Sequence, residues 1–528
     1  MRHRVRGAAV LACSVSAFGL GSALPAQETQ TVPAERCGRA MMQLGDGYLE
    51  VTAATLIPAQ PATMTPFGPQ AALPQHCLVE GMLNRRTGVD GKEYGIGFEL
   101  ALPLTWNGRY LLMGGGGLNG SIRPPFGPVA AGNSNALAMG FAVASHDSGH
   151  KGEVFDASFQ ADQRAALDFA ETSVHTVTLA TRWLAAAFYG EPPRRSYMTG
   201  CSTGGREGML ASQRYPELFD GIVIGAPAMR PGHSNLAIEW AQVLLNRTQA
   251  AGVTTPAGFS SAERAVVDAG LARQCDGADG RVDGMIFNVE ACRNFDARAL
   301  ACAPGQVTDG SAGCLAPEKA EALAQIFAGP REASGRPLYT AIPWDTGVTY
   351  AGPGLPGYIP SGAPGPFGPA NAGREIDLDA RLAAVEWDAV GRLTDTAYWT
   401  NLSTFLRRGA KIMFYHGVSD PWFSAIDTWE YFQRAREANG AAAWDDAARF
   451  YMVPGMLHCS GGNAFDRFDL LSPLVEWVEQ GRAPNGITAR RSDGAAGERP
   501  LCAHPAYPHY TGGDPALAAS YSCRLPQG

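Results

Sequence analysis

The sequence predicts an α/β chain: a mostly parallel sheet covered by helices on both faces, interrupted by one long insertion. Three observations point there. Short apolar runs bounded by turn residues recur, among them "WNGRYLLMGGGG", "FAVASHDSG", "SYMTG", "GIVIGAP", "KIMFYHG" and "ARFYMVPG". Segments with helical spacing of apolar residues lie between them, such as "DQRAALDFAETSVHTVTLATRWLAAAFYG" and "SPLVEWVEQ". Alternating strand and helix implies parallel strands with helices on either side. The rhythm lapses only between "GIVIGAP" and "KIMFYHG".

Taken in order, the chain opens on "MRHRVRGAAVLACSVSAFGLGSALPAQ", three arginines followed by an apolar run and small residues. This reads as a signal peptide over residues 1–26. A lipoprotein alternative makes "VLAC" the lipobox and Cys13 the anchor, but the apolar run before Cys13 is short. Secretion or a periplasmic location is expected. No later apolar segment is long enough to span a bilayer, so no stable membrane insertion is expected. Residues 27–227 form the first part of the α/β domain. After a Pro/Ala-rich stretch to Gln75, "GKEYGIGFELALP" alternates like an antiparallel strand. Residues 228–401 are the insertion, read as a lid domain over the sheet; it holds four cysteines, an acidic loop and the tract "AGPGLPGYIPSGAPGPFGPANAG". Residues 402–528 complete the α/β domain.

The 528 residues carry a net charge of −8 with no basic block, which argues against a nucleic-acid partner and favours a small, neutral substrate. Of the 11 cysteines, removal of the signal peptide takes away Cys13. The even set left in an exported chain points to disulfides.

The chemistry centres on "SYMTGCSTGGREG". Gly200-Cys201-Ser202-Thr203-Gly204 fits G-x-S-x-G, with a strand expected before it and a helix after. Such a turn leaves no room for side chains two positions either side of the serine, and it lifts the hydroxyl over the sheet edge. The helix start then aims free N–H groups, including that of Thr203, at an oxyanion formed beside Ser202. A serine nucleophile needs a base and an orienting acid. In the α/β-hydrolase order both follow it, each after a strand: "KIMFYHGVSDPWF" offers Asp420 and "FYMVPGMLHCSGG" offers His458. His416 precedes Asp420 at the strand's mouth and suits a pocket-lining or hydrogen-bonding role. His146 and His150 come before the serine and are expected to be structural, and Asp427 to be a solvated helix residue. "MGGGGLNG" is placed to supply the second oxyanion donor, with Gly117 as candidate. Phe423, and Trp422 beside it, are placed to stack on an aromatic acyl group.

Cys201 precedes the candidate nucleophile and Cys459 follows the candidate base, so a Cys201–Cys459 disulfide is expected to tie them together. In "CDGADGRVDGMIFNVEAC", Asp276, Asp279 and Asp283 crowd one loop, and oxygen ligands suit calcium. The plain alternative is a solvated acidic turn. The spacing is not that of an EF-hand, no Cys/His spacing suggests zinc, and no organic cofactor is expected.

The blocks "WNGRYLLMGGGGLNGS", "GCSTGGREGMLASQRYPELFDGIVIGAPA", "CDGADGRVDG", "PLYTAIPWD", "YHGVSDPWFSAID" and "VPGMLHCSGG" resemble the tannase and feruloyl esterase family of α/β-hydrolases over nearly all of the mature chain. The resemblance implies Ser202, Asp420 and His458 as a triad, with the amides of Gly117 and Thr203 as oxyanion hole. It implies structural calcium on Asp276, Asp279 and Asp283 with the carbonyls of Arg281 and Met285. It also implies five disulfides: Cys37–Cys77, Cys201–Cys459, Cys275–Cys292, Cys302–Cys314 and Cys502–Cys523. The expected activity is carboxylic ester hydrolysis of small aromatic esters, with feruloyl, gallate and terephthalate half-esters all open. No arginine is assigned to hold a substrate carboxylate; neither Arg374 nor Arg381 is given that role. A non-catalytic binding protein on the same scaffold is the rival reading, and the intact triad argues against it.

Overall fold

Nine strands pair into one central sheet in the computed structural model, which describes residues 29–38, 41, 47–65, 68–127, 135–350, 359 and 371–527. The expected signal peptide, Cys13 and most of the Pro/Gly tract lie outside the described residues. In chain order the sheet strands are β1 (Leu49–Ile57), β2 (His76–Thr87), β3 (Glu93–Pro103), β4 (Arg109–Met113), β5 (Ala142–His146), β6 (Arg195–Cys201), β7 (Gly221–Gly225), β8 (Lys411–Gly417) and β9 (Ala448–Val453). Their spatial order is β9-β8-β7-β6-β4-β5-β3-β2-β1. Strands β4 to β9 run parallel, while β1, β2 and β3 add an antiparallel flank that includes the alternating "GKEYGIGFELALP" run. The chain thus has the α/β-hydrolase architecture expected of it.

The main helices are α1 (Ser173–Tyr189), α2 (Thr203–Arg214), α3 (Pro231–Arg247), α4 (Ser261–Cys275), α5 (Pro317–Ala328), α6 (Leu378–Trp387), α7 (Ala425–Asn439) and α8 (Leu471–Gln480). Strand β7 shows why the sheet is covered twice. Ile222 and Ile224 join the core packed by Val177 and Leu184 of α1 and Met209 and Leu210 of α2, whereas Val223 between them joins Leu471, Leu474 and Trp477 of α8. Side chains alternate across a strand, so a strand apolar at every position is buried on both faces. The long helical run after Asp162 is interrupted: a π-turn at Asp168–Thr172 precedes α1, which stops at Gly190 with φ 84°.

Register brings three loops to one edge. Cys201 pairs with Gly225, Gly225 with Tyr415, and Tyr415 with Tyr451. The turn after β6 and the loops after β8 and β9 therefore leave the sheet side by side, at its carboxyl edge, where open α/β sheets bind ligands.

The chain between β7 and β8 holds α3 to α6 and an apolar cluster of its own around Phe259, Val267, Leu271, Leu323, Phe327 and Trp344. Phe327 and Trp344 stack with ring centroids 3.6 Å apart. Disulfides Cys275–Cys292 and Cys302–Cys314 close two of its loops, and Cys37–Cys77 and Cys502–Cys523 pin the two ends of the described chain.

The acidic loop is not the calcium site expected of it. Among the described residues no group of three or more His, Cys, Asp or Glu side chains stands together to hold a metal ion. The loop carboxylates are met by protein donors instead. Asp276 accepts from the amides of Asp283 (3.2 Å) and Gly284 (2.8 Å), and Asp279 from those of Arg281 (3.2 Å) and Phe287 (3.0 Å). Asp283 pairs with Arg281 (3.1 Å) and Arg499 (3.3 Å), while Met285 is buried in the apolar core. Backbone amides and guanidinium groups thus engage all three of the carboxylates that the sequence places in one loop.

Candidate active site

Ser202 occupies the join between β6 and α2 with φ 64° and ψ −122°, a conformation costly for a residue with a side chain. Its surroundings hold it there: its amide donates to the Gly225 carbonyl (3.0 Å), and its carbonyl accepts from the amides of Arg206 (2.9 Å) and Ala228 (3.1 Å). The flanking glycines are steric necessities. A Cβ on Gly200 would lie 2.3 Å from the Gly204 carbonyl oxygen, and one on Gly204 would lie 2.8 Å from that of Gly115.

On the neighbouring loops, His458 Nδ1 stands 2.7 Å from Asp420 Oδ2, with the His458 side chain 9% exposed and Asp420 fully enclosed. Asp420 Oδ1 accepts from the amides of Trp422 (2.8 Å) and Phe423 (3.1 Å). Burial alone would raise this carboxyl; the His458 and His416 rings outweigh it and hold Asp420 well below the usual carboxylate range. The other ring nitrogen of His458, Nε2, is buried with no hydrogen-bond partner among the described residues. The Cys201–Cys459 disulfide joins the turn carrying Ser202 to the loop carrying His458, with the Cα atoms 6.0 Å apart.

His416 lies behind Asp420, fully buried. Its Nε2 is 3.2 Å from Asp420 Oδ2 and 3.1 Å from the Phe423 carbonyl, and its Nδ1 is 2.9 Å from Thr428 Oγ1. Both ring nitrogens of His416 are thus engaged by protein partners. Asp427, expected in solvent, is buried and clamps Arg230 at 2.5–3.1 Å. The rings of Trp422 and Phe423 meet His458 edge-on, at centroid distances of 5.0 and 5.4 Å.

The glycine loop after β4 reaches the same edge. Gly117 has φ 58°, and a Cβ there would meet Val154 Cγ1 at 2.6 Å. The Thr203 hydroxyl donates to the Gly117 carbonyl, so the two candidate oxyanion donors are tied to each other. Residues not singled out from sequence hold this loop. Glu207, buried on α2, accepts from the Gly115 amide (2.8 Å) and from the Ser148 hydroxyl (3.3 Å). Asn119 accepts from the Gly116 amide (2.6 Å) and donates to Ser148. His146 packs against Glu207 at 3.8 Å, the structural place expected for it. Glu207 lies five residues after Ser202, and its position in the first turns of a buried helix is the signal that finds it. Arg374 donates to the carbonyls of Asn246, Gln249 and Arg247, and Arg381 to Glu239, so both are engaged within the insertion.

A protein-family model described as tannase and feruloyl esterase matches residues 77–354 and 375–524. The chain is 36% identical, over 89% of its length and 87% of the relative's, to the mono(2-hydroxyethyl) terephthalate hydrolase of Piscinibacter sakaiensis. It is 30% identical to a probable feruloyl esterase B-1 of Aspergillus terreus, over 75% and 76% of the two chains. Among solved structures it is similar to an esterase from Aspergillus oryzae, with a TM-score of 0.74 and 25% identity over 93% of this chain and 99% of that one. With the strand-serine-helix turn in place, the chain belongs to the tannase and feruloyl esterase family and is a serine carboxylic ester hydrolase of that type.

Proposed function

We propose that the protein is an exported esterase that hydrolyses esters of aromatic acids through Ser202, His458 and Asp420. The observation that carries this reading is the 2.7 Å contact of His458 Nδ1 with Asp420, which leaves Nε2 for the serine hydroxyl. Ser202 Oγ attacks the ester carbonyl while its proton passes to His458 Nε2, and Asp420 stabilises the imidazolium. The amides of Gly117 and Thr203 take the oxyanion. Collapse breaks the bond to the alcohol oxygen, which leaves with the proton from His458. A water molecule, deprotonated by the same nitrogen, then attacks the acyl-enzyme and releases the acid and Ser202.

Trp422 and Phe423, flanking His458, support an aromatic acyl group, as do the names of the relatives. The insertion, residues 228–401, serves as the lid. Export is supported by the N-terminal sequence and by five disulfides among the described residues; no helix among them is long and apolar enough to cross a membrane. A terephthalate half-ester is the second reading, favoured by the 36% identity to an enzyme named for that substrate. Methyl ferulate, methyl gallate and the half-ester, assayed with wild type and Ser202→Ala, test both readings. Turnover of at least one by wild type and none by the variant is expected. Equal rates in the two proteins contradict the triad, and the ranking of kcat/KM chooses the acyl group.

A further inference from the structure

Among the contacts that the insertion makes with the candidate catalytic loops, one buried carboxylate touches both of them. Asp345, fully buried, lies just before a short turn of helix at Thr346–Thr349. Its Oδ2 accepts from the Ser419 hydroxyl at 2.7 Å and from the Gly455 amide at 2.5 Å, and its Oδ1 from the Thr346 amide at 2.8 Å. Ser419 is the residue before Asp420, and Gly455 lies three residues before His458. The contact is close all round: a Cβ on Gly347 would lie 2.4 Å from Ser419 Oγ and 3.0 Å from the Gly455 carbonyl oxygen. The Ser419 amide in turn donates to the Met456 carbonyl at 3.1 Å, lacing the two loops together directly.

A carboxylate serving only to anchor the insertion would have no reason to share one oxygen between the loop of the acid and the loop of the base. From this sharing we infer that Asp345 is a positioning residue: it sets the separation of the Asp420 and His458 loops and makes the insertion part of the catalytic geometry as well as its cover. The inference rests on Ser202, His458 and Asp420 being the triad. Catalysis by such a unit is sensitive to small displacements, with about 100-fold in rate for a misplacement of about 1 Å. An asparagine at 345 keeps the shape but turns an NH2 group toward either Thr346 or the shared pair of donors, so a donor faces a donor whichever way the amide lies.

The test uses the full-length protein with Asp345→Asn and Ser419→Ala, the second removing a single hydrogen bond where the first fails to fold. Active sites are counted by titration with a chromogenic organophosphate, and kcat per titrated site and KM are measured on an aromatic methyl ester. Ser202→Ala is the control for the underlying reading. The expected result is kcat per site lower by about 10-fold or more in Asp345→Asn and about 3-fold or more in Ser419→Ala, with KM within about twofold of wild type. A wild-type kcat per site in either folded variant, with only a lowered Tm, overturns the positioning role. Turnover by Ser202→Ala overturns instead the triad on which it rests.

Discussion

Cys201 and Cys459 are joined by a disulfide although 258 residues separate them, and each is the chain neighbour of a residue in the candidate triad. The bond therefore fixes how far the turn after β6 stands from the loop after β9. Replacing both cysteines with alanine is expected to leave a folded protein, less stable by roughly 2–5 kcal/mol, and with kcat reduced at temperatures where it remains folded. Melting curves and kcat measured on the same samples check this; wild-type kcat would make the bond a stabiliser only.

Asp420 carries its charge without solvent, held by two amides and two imidazoles. Asp420→Asn keeps the size but removes the acceptor that orients His458 Nδ1–H. A fall of about 10³- to 10⁴-fold in kcat is expected, with a much smaller change in KM. A loss below tenfold would show that His458 is oriented by something else.

Glu207 is the buried acceptor for the Gly115 amide. In Glu207→Ala that amide loses its partner and a cavity opens beside the glycine loop. Denaturant melts should show a loss on the order of 2–4 kcal/mol, and kcat should fall because the Gly117 peptide is no longer held. Unchanged kcat in a folded variant would detach Glu207 from the oxyanion loop.

His150 is buried and His504 half-buried, and burial lowers both rings from 6.5 to about 4. A histidine that is harder to protonate when folded gives the unfolded chain the greater proton uptake, so its contribution is intact above about pH 6.5 and is lost as pH falls toward 4. Each ring is worth on the order of 3 kcal/mol across that window. His504 packs edge-on to Trp429 and Phe450. His504→Phe is expected to flatten the fall in stability between pH 6.5 and 4, as read by urea midpoints at several pH values; an identical slope in the variant would contradict the assignment.

How much of this was legible follows from the range of each interaction. The turn around Ser202 is a local steric problem solved by nearby glycines, so its pattern is written in consecutive residues. Asp420 and His458 follow strands in a fixed order, and register alone brings them to one edge. The solvated place expected for Asp427 fails because its partner, Arg230, lies 197 residues away in the chain. Glu207 and Asp345 likewise take donors from distant loops, which no short stretch of sequence displays. The acidic loop goes the opposite way: its sequence spacing suggests a cation, but backbone amides, Arg281 and Arg499 engage the three carboxylates instead.

Covalent labelling distinguishes Ser202, served by His458 and Asp420, from every other candidate nucleophile. The protein is treated with an aryl phosphonate ester, digested and mapped by mass spectrometry while residual activity is followed. One phosphonyl adduct per chain is expected, on Ser202, with activity lost in proportion, no labelling of Ser202→Ala, and slower labelling of folded His458→Ala. An adduct on another residue accompanying inactivation, or full activity in protein labelled at Ser202, would contradict it.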